Sequence, residues 1–133
     1  DVIRETARIL LRALQNSPRH EDFIGHIGGD DFVVVTDPEA VDQICQAIIQ
    51  EFDKTAPSFY NAEDNANGFI VGHDRKGQLQ KIPLLSVSIG VVNNQTRSIK
   101  HVAEIGEIGA ELKKAAKALG KSNYVKDKRR DQV

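Results

Sequence analysis

The chain opens with apolar side chains on a helical period. They recur at steps of four, three and four residues, at Ile3, Ala7, Leu10 and Leu14. This spacing predicts one face of an amphipathic helix. The helix is expected to end at residues 16–18, Asn-Ser-Pro, which favour a turn.

A different pattern follows, in which two short apolar runs flank a polar tip. The runs cover residues 23–27 and 32–36, and the tip between them, residues 28–31, reads Gly-Gly-Asp-Asp. Runs of this length around a glycine-rich turn predict a β-hairpin, because glycine supplies the positive φ that tight hairpin turns need. Thr36 and Glu39 then fit a capping box for the next helix.

The remaining pattern predicts a mixed α/β fold. The further segments are a helix to about residue 54, a loop over 57–67, a hairpin around 74–77, a buried strand over 84–92, a helix over 98–119 and a short strand over 122–127. The inward faces of the two helices are Val41, Ile44, Ile48 and Phe52 in the first, and Val102, Ile105, Leu112, Ala116 and Leu119 in the second. This order predicts an α/β (α+β) sandwich with a mostly antiparallel central sheet flanked by helices.

Composition narrows the class of protein. The chain has 133 residues and a net charge of −1, so it shows no bulk attraction to DNA or membranes. Its one cysteine, Cys45, is expected to pack inside the protein, and it favours a reducing, cytoplasmic location. No apolar run approaches the ~20 residues that span a bilayer. Methionine is absent, and we expect the chain to be a piece of a longer protein.

The hairpin tip is the first candidate site. One aspartate satisfies a turn, whereas Asp30 and Asp31 together add repulsion that only water or a cation relieves. The alternative is a solvated turn with no further role.

Three stretches carry a resemblance to a known family. "IGGDDFVVV", "LLSVSIGVV" and "AAKALGKSN" follow one another in the order and spacing of the GGDEF family, the diguanylate cyclase domains. The resemblance covers nearly the whole chain and implies a nucleotidyl-cyclase-like fold with the signature on a β-hairpin. It implies a GGDEF domain over residues 1–126 that lacks its first strand and helix. A basic tail or linker then covers 127–133.

The resemblance also implies an activity. Such domains act as homodimers that join two GTP molecules into cyclic di-GMP, using Mg²⁺ or Mn²⁺. Asp30 and Asp31 would be metal ligands and catalytic groups, and Gly28 and Gly29 would let backbone N–H groups approach the nucleotide.

Two lysines near the end of the last helix are matched to the triphosphate. Lys117 and Lys121 lie one turn apart and would contact its oxygens. The alternative is that they complement the helix dipole, since lysine is expected at a helix C-terminus.

A second site is implied upstream of the hairpin. Arg19 and Asp22 match the family's inhibitory R-x-x-D site, where the product cyclic di-GMP binds. The alternative is a surface ion pair in a charged loop, worth ~0–1 kcal/mol.

The sequence departs from the family pattern in several places. Asp31 stands where glutamate is usual, and Lys121 where arginine is usual. The family's first metal-binding aspartate and its guanine-reading residues are not present, so we expect this chain alone to be inactive. The longer protein is expected to carry an adjoining sensor or receiver domain. A non-catalytic module that binds cyclic di-GMP or GTP, for regulation or dimerisation, is the alternative function.

Overall fold

The computed structural model describes residues 1–16, 22–95 and 98–128. Within these ranges it contains four α-helices and six strands. In chain order they are α1 Val2–Gln15, β1 Phe23–Gly28, β2 Asp31–Val35, α2 Val41–Thr55, α3 Ala62–Asn67, β3 Phe69–His73, β4 Leu79–Pro83, β5 Ser88–Val91, α4 Val102–Lys117 and β6 Asn123–Lys126. Both predicted hairpins and the three long predicted helices are therefore found.

The strands of the described ranges pair two by two. β1 and β2 are antiparallel, as are β3 and β4, whereas β5 and β6 run parallel. The mixed α/β class is confirmed, but the single central sheet that the sequence predicts is not seen among these strands, which form three separate sheets. One edge of β2 and one edge of β5 have no neighbouring strand in the described part of the chain.

The core lies between the helical layer α1–α2 and two of the sheets. Its buried side chains are Ile9, Leu10, Ala13, Ala40, Ile44, Ile48, Phe52 and Ala56. Alternate residues of β2, Phe32 and Val34, pack against this cluster. Val87, which directly precedes β5, and Ile89 within β5 do so as well. Two sheets that do not pair with each other therefore rest on the same pair of helices. Cys45 is buried on α2, as predicted.

Helix α4 lies against β5 at a glycine. A Cβ atom added to Gly90 would come within 2.8 Å of the Gly109 carbonyl oxygen and 3.0 Å of Leu112 Cβ. Only a residue without a side chain permits this contact between helix and strand. Gly90 thus sets how closely α4 approaches the sheet.

The inward face predicted for α4 is partly wrong. Of the predicted residues, Ala116 is buried and Leu112 is half-buried, but Val102 is 85% exposed, Ile105 43% and Leu119 61%. Ile108, which is buried, was not among those predicted. The helix packs mainly on β5 and β6, and a sheet of two short strands is too narrow to cover its whole apolar stripe.

Residues 57–67, predicted as a loop, contain a short helix. The side chain of Asn61 accepts a hydrogen bond from the Asp64 N–H, which caps α3 at its start. Gly68 ends it with a φ of 79°. An asparagine cap and a terminal glycine are helix signals, and the polar composition between them masked the helix.

Candidate functional site

The hairpin tip, residues 28–31, has open space around its glycines, and its backbone is held by a side chain of β1. Gly29 has a φ of +53°, and a Cβ placed there would meet nothing within 4 Å. His26 donates from Nε2 to the Gly29 carbonyl oxygen over 2.8 Å. Its ring also stacks on Phe32, with the ring centroids 4.6 Å apart. The backbone of the tip is therefore fixed by His26, a residue that the sequence analysis did not assign to the site.

The two aspartates of the tip have different surroundings. Asp30 is exposed and has no hydrogen bond or ion pair within the described ranges. Asp31 Oδ1 lies 2.7 Å from Lys113 Nζ, an ion pair that joins β2 to α4. The hydrogen bond and charge of Lys113, with a smaller contribution from Lys117, hold the pKa of Asp31 below its ordinary value.

The predicted phosphate-binding lysines lie at the same end of α4. Lys117 is the last residue of the helix, and its charge acts on Asp31. Lys121 is exposed just beyond Gly120, whose φ is +73°. The structure therefore brings Lys117 into the electrostatic range of the hairpin tip. No hydrogen bond or ion pair joins Lys121 to the tip within the described ranges.

The turn that carries Lys121 is fixed by its neighbour Asn123. The Asn123 side-chain amide donates to the carbonyl oxygens of Ala116, over 2.8 Å, and of Lys121, over 2.7 Å. Ser122 donates to Asp53 over 2.6 Å and accepts from the Val87 N–H over 3.0 Å. This turn is thereby tied to both α2 and the start of β5.

The predicted product site is described only in part. Arg19 lies outside the described residues. Asp22 Oδ1 accepts a hydrogen bond from the Thr36 hydroxyl over 2.7 Å, and its Oδ2 is buried without a hydrogen-bond partner. Thr36 therefore does not cap the next helical turn as predicted. The short helical turn Pro38–Ala40 is capped instead by Asp37, whose side chain accepts a hydrogen bond from the Glu39 N–H.

Of the two carboxylates of the tip, one is open to a ligand. Within the described ranges, no three His, Cys, Asp or Glu side chains cluster as a metal-binding group. Mg²⁺ needs only one or two protein carboxylates when water and phosphate oxygens complete its shell. Asp30 meets that requirement. Asp31, in the arrangement observed, already faces an ammonium group.

Besides His26, Lys113 is a residue of this site that sequence reasoning missed. It lies four residues before Lys117, so both occupy the same face of α4. Lys121 continues this spacing, and a row of three lysines at intervals of four was the available signal.

Comparisons with protein-family models, with curated proteins and with solved structures found no match for this chain. Across the ranges 1–16, 22–95 and 98–128, none of the helices has the length and apolarity needed to cross a bilayer.

Proposed function

We propose that this chain is a GGDEF-type domain of a bacterial signalling protein that makes cyclic di-GMP from two GTP molecules. The observation that carries the proposal is the contact between Asp31 and Lys113. It sets the two carboxylates that follow Gly28 and Gly29 beside a lysine-bearing helix, with Asp31 paired to Lys113 and Asp30 left open. Carboxylates that can hold Mg²⁺ or Mn²⁺ next to ammonium groups that can hold phosphates suit a metal–triphosphate ligand.

The reaction needs positioning and charge neutralisation more than covalent chemistry. In phosphoryl transfer, the attacking and leaving oxygens stand in line across the phosphorus, and negative charge spreads over the other oxygens. In the proposed site, Asp30 holds the cation, Lys117 and Lys121 bind the triphosphate, and Gly28 and Gly29 leave the backbone N–H groups of the tip accessible. The cation, when bound, supplies the charge that opposes the developing negative charge.

The strand arrangement supports a nucleotidyl-cyclase-like fold. β2 and β5 rest on the same helices and each has an unpaired edge among the described residues. One further strand between them would join two of the small sheets into one central sheet. The family pattern begins with such a strand, and this sequence does not contain its motif.

We further propose the family's regulation for the longer protein, which would act in the cytoplasm as a homodimer beside a sensor or receiver domain. Arg19 and Asp22 would bind the product, since arginine makes bidentate contacts with guanine or phosphate. Arg19→Ala is expected to weaken binding of cyclic di-GMP at least ~10-fold, because a charge-assisted contact is lost. Calorimetric titration measures this, and equal affinity in both proteins would refute the site.

The activity is tested at the hairpin tip. In the full-length protein, Asp30→Ala should abolish conversion of GTP to cyclic di-GMP with Mg²⁺ and leave thermal unfolding unchanged, because Asp30 is exposed. Glu63→Ala, which removes another exposed carboxylate on α3, is the matched control and should keep full turnover. Turnover near wild type in Asp30→Ala would refute the assignment of the cation to this residue.

One observation favours a second candidate, a module that binds nucleotide without turnover. Asp31 is shorter than the glutamate usual at its position, and it is paired with Lys113 instead of being open to a cation. GTP binding by the full-length protein without formation of cyclic di-GMP would identify this function.

A further inference from the structure

The ion pair at the hairpin tip involves only one of the two adjacent aspartates. Lys113 Nζ contacts only one of them, Asp31, through Oδ1 at 2.7 Å. Asp30 and Asp31 are adjacent in sequence, yet only Asp30 remains without a charged partner in the described ranges. A divalent cation that used both carboxylates would have to displace an ammonium group from Asp31.

The position of Lys113 is set by the fold. A Cβ at Gly90 would lie 3.2 Å from the Lys113 backbone nitrogen, so this part of α4 presses directly on β5. The Lys113 side chain extends from there to β2, across the interval where β2 and β5 lack a shared hydrogen-bond ladder. Its side chain is 37% exposed, compared with 51% for that of Asp31. The backbone of Lys113 is thus fixed by packing, and its ammonium group lies beside Asp31 at the hairpin tip.

We propose that Lys113 is a positioning residue that limits the cation site of the hairpin tip to Asp30. Its ammonium group competes with a divalent cation for Asp31 and supplies a fixed positive charge in place of a second metal ion. The inference rests on the proposed function, because it concerns the same site. It goes further by assigning the two carboxylates different partners.

The test is a titration with Mn²⁺ alone, without nucleotide. Paramagnetic broadening of the backbone amide signals of residues 28–31 reports cation binding at the tip. Lys113→Met keeps much of the side-chain length and removes the charge. It is expected to tighten Mn²⁺ binding about tenfold, because Asp31 becomes a second ligand and a nearby positive charge is gone. The double variant Lys113→Met with Asp31→Asn should lose that gain.

Two controls separate this effect from a general change of charge. Lys113→Arg keeps the ion pair and should bind Mn²⁺ as wild type does. Lys114→Met removes the adjacent, exposed lysine of α4, and it should change the affinity by less than about threefold, since it leaves the Asp31 ion pair in place. Equal tightening in Lys114→Met, or unchanged affinity in Lys113→Met, would overturn the inference.

The outcomes also separate the inference from the proposed function. Turnover of GTP by the full-length protein, together with unchanged Mn²⁺ affinity in Lys113→Met, overturns the inference alone. Tighter Mn²⁺ binding in Lys113→Met, in a protein that makes no cyclic di-GMP, supports the inference and refutes the cyclase. Absence of broadening in both wild type and Lys113→Met overturns the inference.

Discussion

The contact between Gly90 and α4 predicts how substitution of Gly90 changes the free energy of unfolding. In Gly90→Ala, the new Cβ would lie 2.8 Å from the Gly109 carbonyl oxygen and 3.2 Å from the Lys113 backbone nitrogen. Both are backbone atoms, so no side-chain rotation relieves the overlap. Either α4 or β5 must move, and overpacking of this kind costs about 1–3 kcal/mol.

The matched control is the glycine on the other side of the same interface. Gly109 lies within α4, and a Cβ added there meets nothing within 4 Å, apart from its own helix. Gly109→Ala should therefore stabilise the protein by up to about 1 kcal/mol, the difference in helix propensity between the two residues. The two substitutions add the same methyl group at neighbouring positions, yet their effects on the free energy of unfolding are expected to have opposite signs.

Urea unfolding followed by circular dichroism measures both free energies. The expected difference between Gly90→Ala and Gly109→Ala is about 1–4 kcal/mol, the sum of the two effects. Gly90→Ala should also weaken the Lys113–Asp31 ion pair, because the same shift moves the backbone that carries Lys113. A Gly90→Ala protein as stable as wild type would refute the close approach of α4 to β5.

Two further predictions concern α2. Burial raises the pKa of the Cys45 thiol to about 11. Iodoacetamide at pH 8 should therefore alkylate Cys45 far more slowly in the folded protein than in urea. Equal rates would show that Cys45 is exposed. Hydrogen bonds from Lys126 and Tyr124 hold the pKa of Asp42 below its ordinary value. Their stabilising contribution is therefore present above the unfolded pKa of about 3.9 and lost as pH falls through the lower folded value. Asp42→Asn should show a weaker loss of stability below about pH 4, and identical pH profiles would refute the coupling.

Local features of the fold could be predicted from the sequence, because they depend on neighbouring residues. The apolar stripe of α2 and the Gly28–Asp31 tip follow from helical periodicity and from turn chemistry. The pairing of strands could not be predicted in this way. Whether β5 finds a neighbour on its free edge depends on distant segments. Val102 shows the same limit, since periodicity places it on an apolar face but does not show what covers that face.

The same distinction between local and distant determinants applies to the candidate site. Asp30 and Asp31 can be proposed from the sequence, because adjacent carboxylates repel each other and because the segment resembles the GGDEF signature. Lys113 was missed because its importance comes from a contact across 82 positions of the chain. The role of Arg19 stays a prediction, since that residue lies outside the described ranges.

The unpaired strand edges and the exposed residues of α4 have one explanation under the proposed function. β2 and β5 both rest on the α1–α2 layer, and Lys113 reaches from α4, which packs on β5, to Asp31 on β2. The helix thus bridges two sheets that share no hydrogen bonds. A strand inserted between them would pair both free edges and widen the sheet beneath α4.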